Sequence, residues 1–144
     1  MPLTNFGAIL NFAETVEQDD MEFYRVASST AAGEPYRLLF EMFAKEGKKN
    51  IALVQRSRRE NVTEMILEPI RDFVRDSYQL RVENADGLDS TAILTAAVAL
   101  ENRAIRYYSD AAEKIRALPE VSRALKTLAK KRTQRLGQVT NLSA

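Results

Sequence analysis

The chain contains no cysteine and no histidine. The first absence excludes disulfides, zinc fingers, iron–sulfur clusters and thiol nucleophiles. The second removes the commonest general base and the commonest metal ligand together. Glycine and proline are scarce, at five and four of 144 residues, while Ala, Leu, Glu, Lys and Arg abound, a composition that favours helix. No apolar run approaches the roughly 18–20 residues needed to span a bilayer. No basic region followed by an apolar block opens the chain, so no signal peptide is expected and a cytoplasmic location is. There is also no Gly-rich phosphate loop, no Rossmann signature, and no Ser or Cys paired with a His. No catalytic residue and no cofactor are expected.

What remains is the balance of one globular domain spanning 1–144, with 45% hydrophobic and 28% charged residues. A net charge of +1 argues against bulk attraction to nucleic acid or a membrane, so neither is expected as a partner. The charges are unevenly spread. From Met1 to Tyr24 every charge is acidic: Glu14, Glu17, Asp19, Asp20 and Glu22. From Pro119 onward only Glu120 is acidic, against Arg123, Lys126, Lys130, Lys131, Arg132 and Arg135. The expected arrangement is an acidic first helix packed beside a basic last one; the alternative is an anion-binding face. Arg56-Ser57-Arg58-Arg59 and Lys130-Lys131-Arg132 lack the interleaved aromatics of a single-strand groove and read as solvated helix faces.

Helical periodicity organises most of the chain. Thr4 or Asn5 can cap a first helix reaching Ser29–Ala32, with the stripe Phe6, Leu10, Ala13, Glu17, Asp20, Tyr24, Ala27, Ala31. Gly33-Glu34-Pro35 closes it and opens a second helix, which runs to about Arg59–Asn61 on Tyr36, Phe40, Phe43, Gly47, Asn50 and Val54. Asp89 or Ser90 caps a third, with Leu94, Ala97, Glu101, Ala104, Tyr108, Ala111, Ile115 and Leu118; Pro119 starts a fourth, with Val121, Leu125, Leu128, Arg132, Arg135, Val139 and Leu142. Between them Pro69 and Asn84-Ala85-Asp86-Gly87 break the pattern, with one short helix expected around Ile70, Phe73 and Val74. Hairpins over about 4–61 and 90–142 are thus joined by a crossover over about 62–89. A second helix of roughly 26 residues is about 39 Å long, and a connector of that size can run back along it.

The hairpin is written twice. Glu17 stands six residues before Phe23-Tyr24 with Ala27 following, and Glu101 stands six before Tyr107-Tyr108 with Ala111 following. Phe43-Ala44-Lys45 answers Leu128-Ala129-Lys130, and Pro35 answers Pro119. All four apolar stripes turn polar at one level, at Glu17 with Asp20, Gly47 with Asn50, Glu101, and Arg132 with Arg135. Ionised groups cost several kcal/mol to bury unless paired or bound to metal, so this is one polar layer.

The pattern Glu-x5-[Phe/Tyr]-Tyr-x2-Ala, followed after a Pro by [Leu/Phe]-Ala-Lys, resembles the rubrerythrin-like branch of the ferritin-like superfamily. The resemblance covers all four helices and omits the connector. It implies an all-α, ferritin-like antiparallel four-helix bundle with a long crossover between helices 2 and 3, an internal two-fold pseudo-repeat, and relatives that pair into homo-oligomers, most simply dimers. In that family each half gives one Glu from its first helix and a Glu-x-x-His pair from its second to hold two irons. Glu17 and Glu101 match the single carboxylates. The paired positions fall on Gly47 and Asn50 and on Arg132 and Arg135, which cannot replace carboxylate and imidazole donors. The resemblance therefore implies a lost diiron site and no bound metal.

The expected replacement is an internal ion network of Glu17, Asp20 and Glu101 with Arg132 and Arg135, lined by Tyr24 and Tyr108. Asp20 has a second reading, as part of a carboxylate-only seat for a hard cation. The function expected is that of a non-catalytic structural or protein-interaction module. An anion or small-molecule site in the former metal cavity is the alternative, and a residual metal-binding oxidoreductase is a third.

Overall fold

The computed structural model describes residues 6–60, 73, 77–80, 82 and 84–142. These form four long helices: α1 (Phe6–Ser28), α2 (Arg37–Glu60), α3 (Ser90–Lys114) and α4 (Pro119–Leu142). Short 3-10 turns occupy Glu34–Tyr36 and Ala85–Gly87, and there is no strand among the described residues. The expected cap at Thr4 or Asn5, the break at Pro69 and the helical positions Ile70 and Val74 lie outside the described residues. Phe73 is described; it is buried and stacks on Tyr107 with ring centroids 5.7 Å apart.

Helix ends follow local chemistry. Asp89 caps α3 as expected, its Oδ1 accepting the Ala92 N–H at 2.8 Å. Pro119 opens α4 at a position where its missing N–H is not needed. Between α1 and α2 the chain departs from expectation. α1 stops at Ser28, short of Ser29–Ala32, so Ala31 leaves the core stripe and is exposed. Thr30 Oγ1 donates to the Ala27 carbonyl at 3.0 Å and accepts the Gly33 N–H at 3.0 Å, winding the chain back on the helix end. Gly33 is required here by space: an added Cβ would lie 1.9 Å from the Ala27 carbonyl oxygen. Pro35 then sits in a 3-10 turn ahead of α2.

Cross-helix contacts fix the directions. Gln55 Nε2 donates to Glu14 at 2.8 Å, while Tyr24 meets Phe40 and Phe43 at 5.0 Å, so α1 and α2 are antiparallel. Tyr107 OH donates to the Ile9 carbonyl at 2.7 Å and Ser90 Oγ to the Ala32 carbonyl at 2.6 Å, so α1 and α3 are antiparallel too. Ser122 Oγ reaches the Ala112 carbonyl at 2.9 Å and ties the start of α4 to the end of α3. The packed neighbours are α1 with α2, α3 with α4, α2 with α4, and α1 with α3. α1 and α4 are therefore diagonal. The acidic first helix does not pack beside the basic last one; its two buried acids, Glu17 and Asp20, are met instead by arginines reaching across the interior, while Glu14 meets Arg58 of α2 and Glu22 meets Arg25 of α1.

The core is two apolar clusters with a polar layer between them. One gathers Ile9, Leu10, Phe12, Tyr107, Ala111, Leu125 and their neighbours at one end of the bundle. The other gathers Phe23, Phe40, Phe43, Ile93, Ala97 and Val139 at the other end. Leu142, placed on the α4 stripe by periodicity, is 37% exposed where that helix ends.

Candidate functional site

Each helix delivers its polar residues to the layer by its own apolar register. Phe12, Ala13, Val16, Phe23 and Tyr24 bury one side of α1, which carries Glu17 and Asp20 inward. The same logic turns Asn50, Glu101, Arg132 and Arg135 inward, and all six side chains are buried.

Arg132 is the centre of the layer and is fully buried. Its Nε and Nη2 donate to Glu17 Oε2 at 3.1 and 2.9 Å, its Nη2 also to Asp20 Oδ2 at 2.8 Å, and its Nη1 to both oxygens of Glu101 at 2.9 Å. All three nitrogens of the guanidinium are thereby engaged, the planar fork meeting carboxylates on two different helices. Arg135 adds an Nη2 bond to Glu101 Oε2 at 3.0 Å and reaches Glu46 at 3.4 Å. Its guanidinium also lies over Phe43 and Tyr24, at 4.5 and 5.2 Å from the ring centroids.

The two tyrosines exchange partners. Tyr24, on the helix of Glu17, donates to Glu101 Oε2 at 2.5 Å; Tyr108, on the helix of Glu101, donates to Glu17 Oε2. Asn50 Nδ2 donates to Glu17 Oε1 at 3.0 Å, and its oxygen accepts from Lys131 at 3.4 Å. The layer thus brings together the expected residues Glu17, Asp20, Tyr24, Asn50, Glu101, Tyr108, Arg132 and Arg135.

Arg103 belongs to the layer but escapes sequence reasoning. It lies off the α3 stripe, yet it is buried, with Nη2 on Asp20 Oδ1 at 2.6 Å and Nη1 on the Tyr78 carbonyl at 3.2 Å. One signal was present: three buried carboxylates against two arginines leave a negative charge unmatched, and a buried charge demands a partner. That count asks for a third cation without saying which. With Arg103 the layer balances three carboxylates with three guanidiniums.

Burial acts on both Glu17 and Asp20, and the neighbours decide the outcome. Desolvation pushes the Glu17 carboxyl up, but Arg132, Arg135 and hydrogen bonds from Tyr108 and Asn50 outweigh it and hold the group below the usual range. For Asp20 desolvation prevails over Arg132 and Arg103, helped by the charges of Glu101 and Glu17, and its carboxyl is raised from 3.8 to about 6. Burial, with a carboxylate beside each hydroxyl, pushes Tyr24 and Tyr108 well above 10, so both stay neutral donors.

The raised Asp20 carboxyl sets a sign. Between its unfolded and folded values the native state binds the extra proton, so Asp20 favours the fold below that window and loses the advantage as pH rises through about 6. The expected result is that lowering pH from 7 to 5 adds about 1 kcal/mol of stability through this group. The difference between wild type and Asp20→Asn in urea unfolding at the two pH values isolates it. An unchanged difference would mean that Asp20 titrates as an ordinary carboxylate.

The residues present do not fit a two-metal centre. Every oxygen of Glu17, Asp20 and Glu101 already accepts from a guanidinium, phenol or amide. Among the described residues no group of three or more acidic, His or Cys side chains is arranged to hold a metal ion, which bears equally on a hard cation at Asp20. Gly47 does more than lack a side chain. An added Cβ would stand 3.0 Å from Met21 Cβ, so α1 approaches α2 through the place where a ligand would begin. Nor is any guanidinium nitrogen of Arg132 without a carboxylate partner. Comparison with protein-family models, with curated proteins and with solved structures found no match for this chain.

Proposed function

We propose that this chain is a non-catalytic ferritin-like bundle whose diiron centre has given way to an internal ion network, and that it works in the cytoplasm as a homo-oligomeric structural or interaction module. The observation that carries this reading is Arg132, which commits all three guanidinium nitrogens to Glu17, Asp20 and Glu101 at the position where the family places a metal ligand. Two further features support it. Because α1 is antiparallel to both α2 and α3, those two point the same way, which is the relative direction a ferritin-like crossover topology requires. The exchanged bonds Tyr24–Glu101 and Tyr108–Glu17 are what an internal two-fold relation between the hairpins would produce.

Metal content tests the proposal. Protein produced with iron and manganese supplied is expected to carry far less than one metal per chain by plasma mass spectrometry. Its melting temperature is expected not to move on addition of Fe²⁺ or Mn²⁺. Roughly two metals per chain, the stoichiometry of an intact di-iron bundle, would overturn the reading and call for oxidase and peroxidase assays.

A further inference from the structure

The outer side of the α2–α4 layer carries a pattern unrelated to the interior. On α2 the positions 38, 42, 45, 49 and 56 recur at steps of four, three, four and seven, which at 100° per residue keeps them within a stripe about 60° wide and about 27 Å long. Leu38 and Met42 begin it, 70% and 59% exposed, and Lys45, Lys49 and Arg56 continue it, all exposed. A shallow groove lined by Met42, Gln134, Gln138 and Asn141 shows that this stripe looks out on the same side as α4. There Arg123 and Lys130 add exposed cations. The described acids offset them only in part. Glu46 lines the groove but pairs with Arg135 at 3.4 Å, Glu41 pairs with Arg37 at 3.5 Å, and Glu60 and Glu120 stand at the Arg56 and Arg123 end, remote from Leu38.

We infer that this face binds the surface of an anionic lipid bilayer, with Leu38 and Met42 entering the headgroup region and the lysines and arginines meeting lipid phosphates and carboxylates. The inference rests on the reading of the chain as an interaction module and names its partner. Several features favour a lipid surface. The face spans two neighbouring helices, and the groove between them is open to solvent. Its cations are mostly lysines, which suit a diffuse anionic potential better than paired recognition of one carboxylate. Adjacent exposed aliphatic side chains beside a basic stripe are the interfacial pattern of peripheral helices. Exposed aromatics for stacking bases are absent from the stripe, which disfavours single-stranded nucleic acid. A second copy docking through the same face would set cation against cation. No described helix is long and apolar enough to cross a membrane, so the association is peripheral. A net charge of +1 conceals this face, because buried ion pairs and acids elsewhere offset it in the total.

Co-sedimentation of the full chain with vesicles tests the inference. Binding is expected to vesicles of phosphatidylserine and phosphatidylcholine mixed at about 3:7, not to phosphatidylcholine alone, and to fall at least tenfold between roughly 0.05 and 0.5 M salt. The exposed double substitution Lys45→Glu/Lys49→Glu is expected to weaken binding at least tenfold with an unchanged melting temperature. Leu38→Ala/Met42→Ala is expected to remove the part of the binding that survives high salt. Absence of binding to the anionic vesicles at low salt would overturn the inference, as would full binding by the lysine variant. So would tighter binding, at equal salt, to single-stranded DNA or to poly-glutamate, which would identify a different partner. Metal content reads the interior and vesicle binding reads the outer face, so failure of one is distinguishable from failure of the other.

Discussion

Arg132→Ala is expected to cost about 3–5 kcal/mol of unfolding free energy at pH 7, the range for breaking a buried ion pair by removing one partner. The substitution strands Glu17, Asp20 and Glu101, none of which has access to water. Arg135 and Arg103 still reach one carboxylate each, while Glu17 keeps only Tyr108 and Asn50. The loss carries a characteristic pH dependence. Carboxylates left buried without a cation favour their protonated forms, so the folded variant takes up protons that the unfolded chain does not. Its stability should therefore rise as pH falls from 7 to 5, more steeply than in the wild type. Urea unfolding at both pH values checks the size and the slope; a loss below 1 kcal/mol would show that the layer does not depend on this guanidinium.

Glu101→Ala is expected to cost about 3–4 kcal/mol with a weaker dependence on pH. Arg132 Nη1, Arg135 Nη2 and the Tyr24 hydroxyl all lose their acceptor, and the interior is left with one positive charge in excess. Glu101 is also one of the charges that raise Asp20, so its removal brings the Asp20 carboxyl down. Acid then no longer helps the fold, because protonating Glu17 or Asp20 deepens the positive excess. The gain that wild type shows between pH 7 and 5 should therefore shrink in this variant, and its own acid loss should set in only below about pH 4, where the unfolded carboxylates take up protons. Combined with Arg132→Ala, the two costs are expected to fall short of additivity by about 1–3 kcal/mol, since each removal relieves the charge stranded by the other. Additive costs would show that Arg132 and Glu101 act independently despite their 2.9 Å contact.

The sequence made the four helices and the polar layer legible because both rest on periodicity. A helix that buries Phe40, Phe43, Gly47, Asn50 and Val54 must bring Asn50 to the interior whatever its neighbours are. Three things were out of reach for definite reasons. The length of α1 depended on the Thr30 hydroxyl competing for the Ala27 carbonyl, a local bond that periodicity does not encode. The diagonal placement of α1 and α4 depended on which hairpin faces pack, and overall charge suggested the wrong neighbours. Arg103 was hidden because its aliphatic stem leaves the α3 stripe and its head returns to Asp20, which a long side chain can do without changing the helix register. Likewise Gly47 is explained by Met21, a contact between helices that neither sequence segment announces alone.

The layer also acts as a mating code between the two halves of the chain. Hairpin α1–α2 brings two buried carboxylates, Glu17 and Asp20, and no buried cation; hairpin α3–α4 brings three buried guanidiniums and the single carboxylate of Glu101. Each hairpin is thus left with two uncompensated charges, opposite in sign, until it meets the other. Two copies of the first hairpin repel, and so do two copies of the second, although both hairpins have similar length and apolar stripes. Hairpins exchanged between molecules are therefore expected to pair as unlike halves, because like halves would bury charge without a partner.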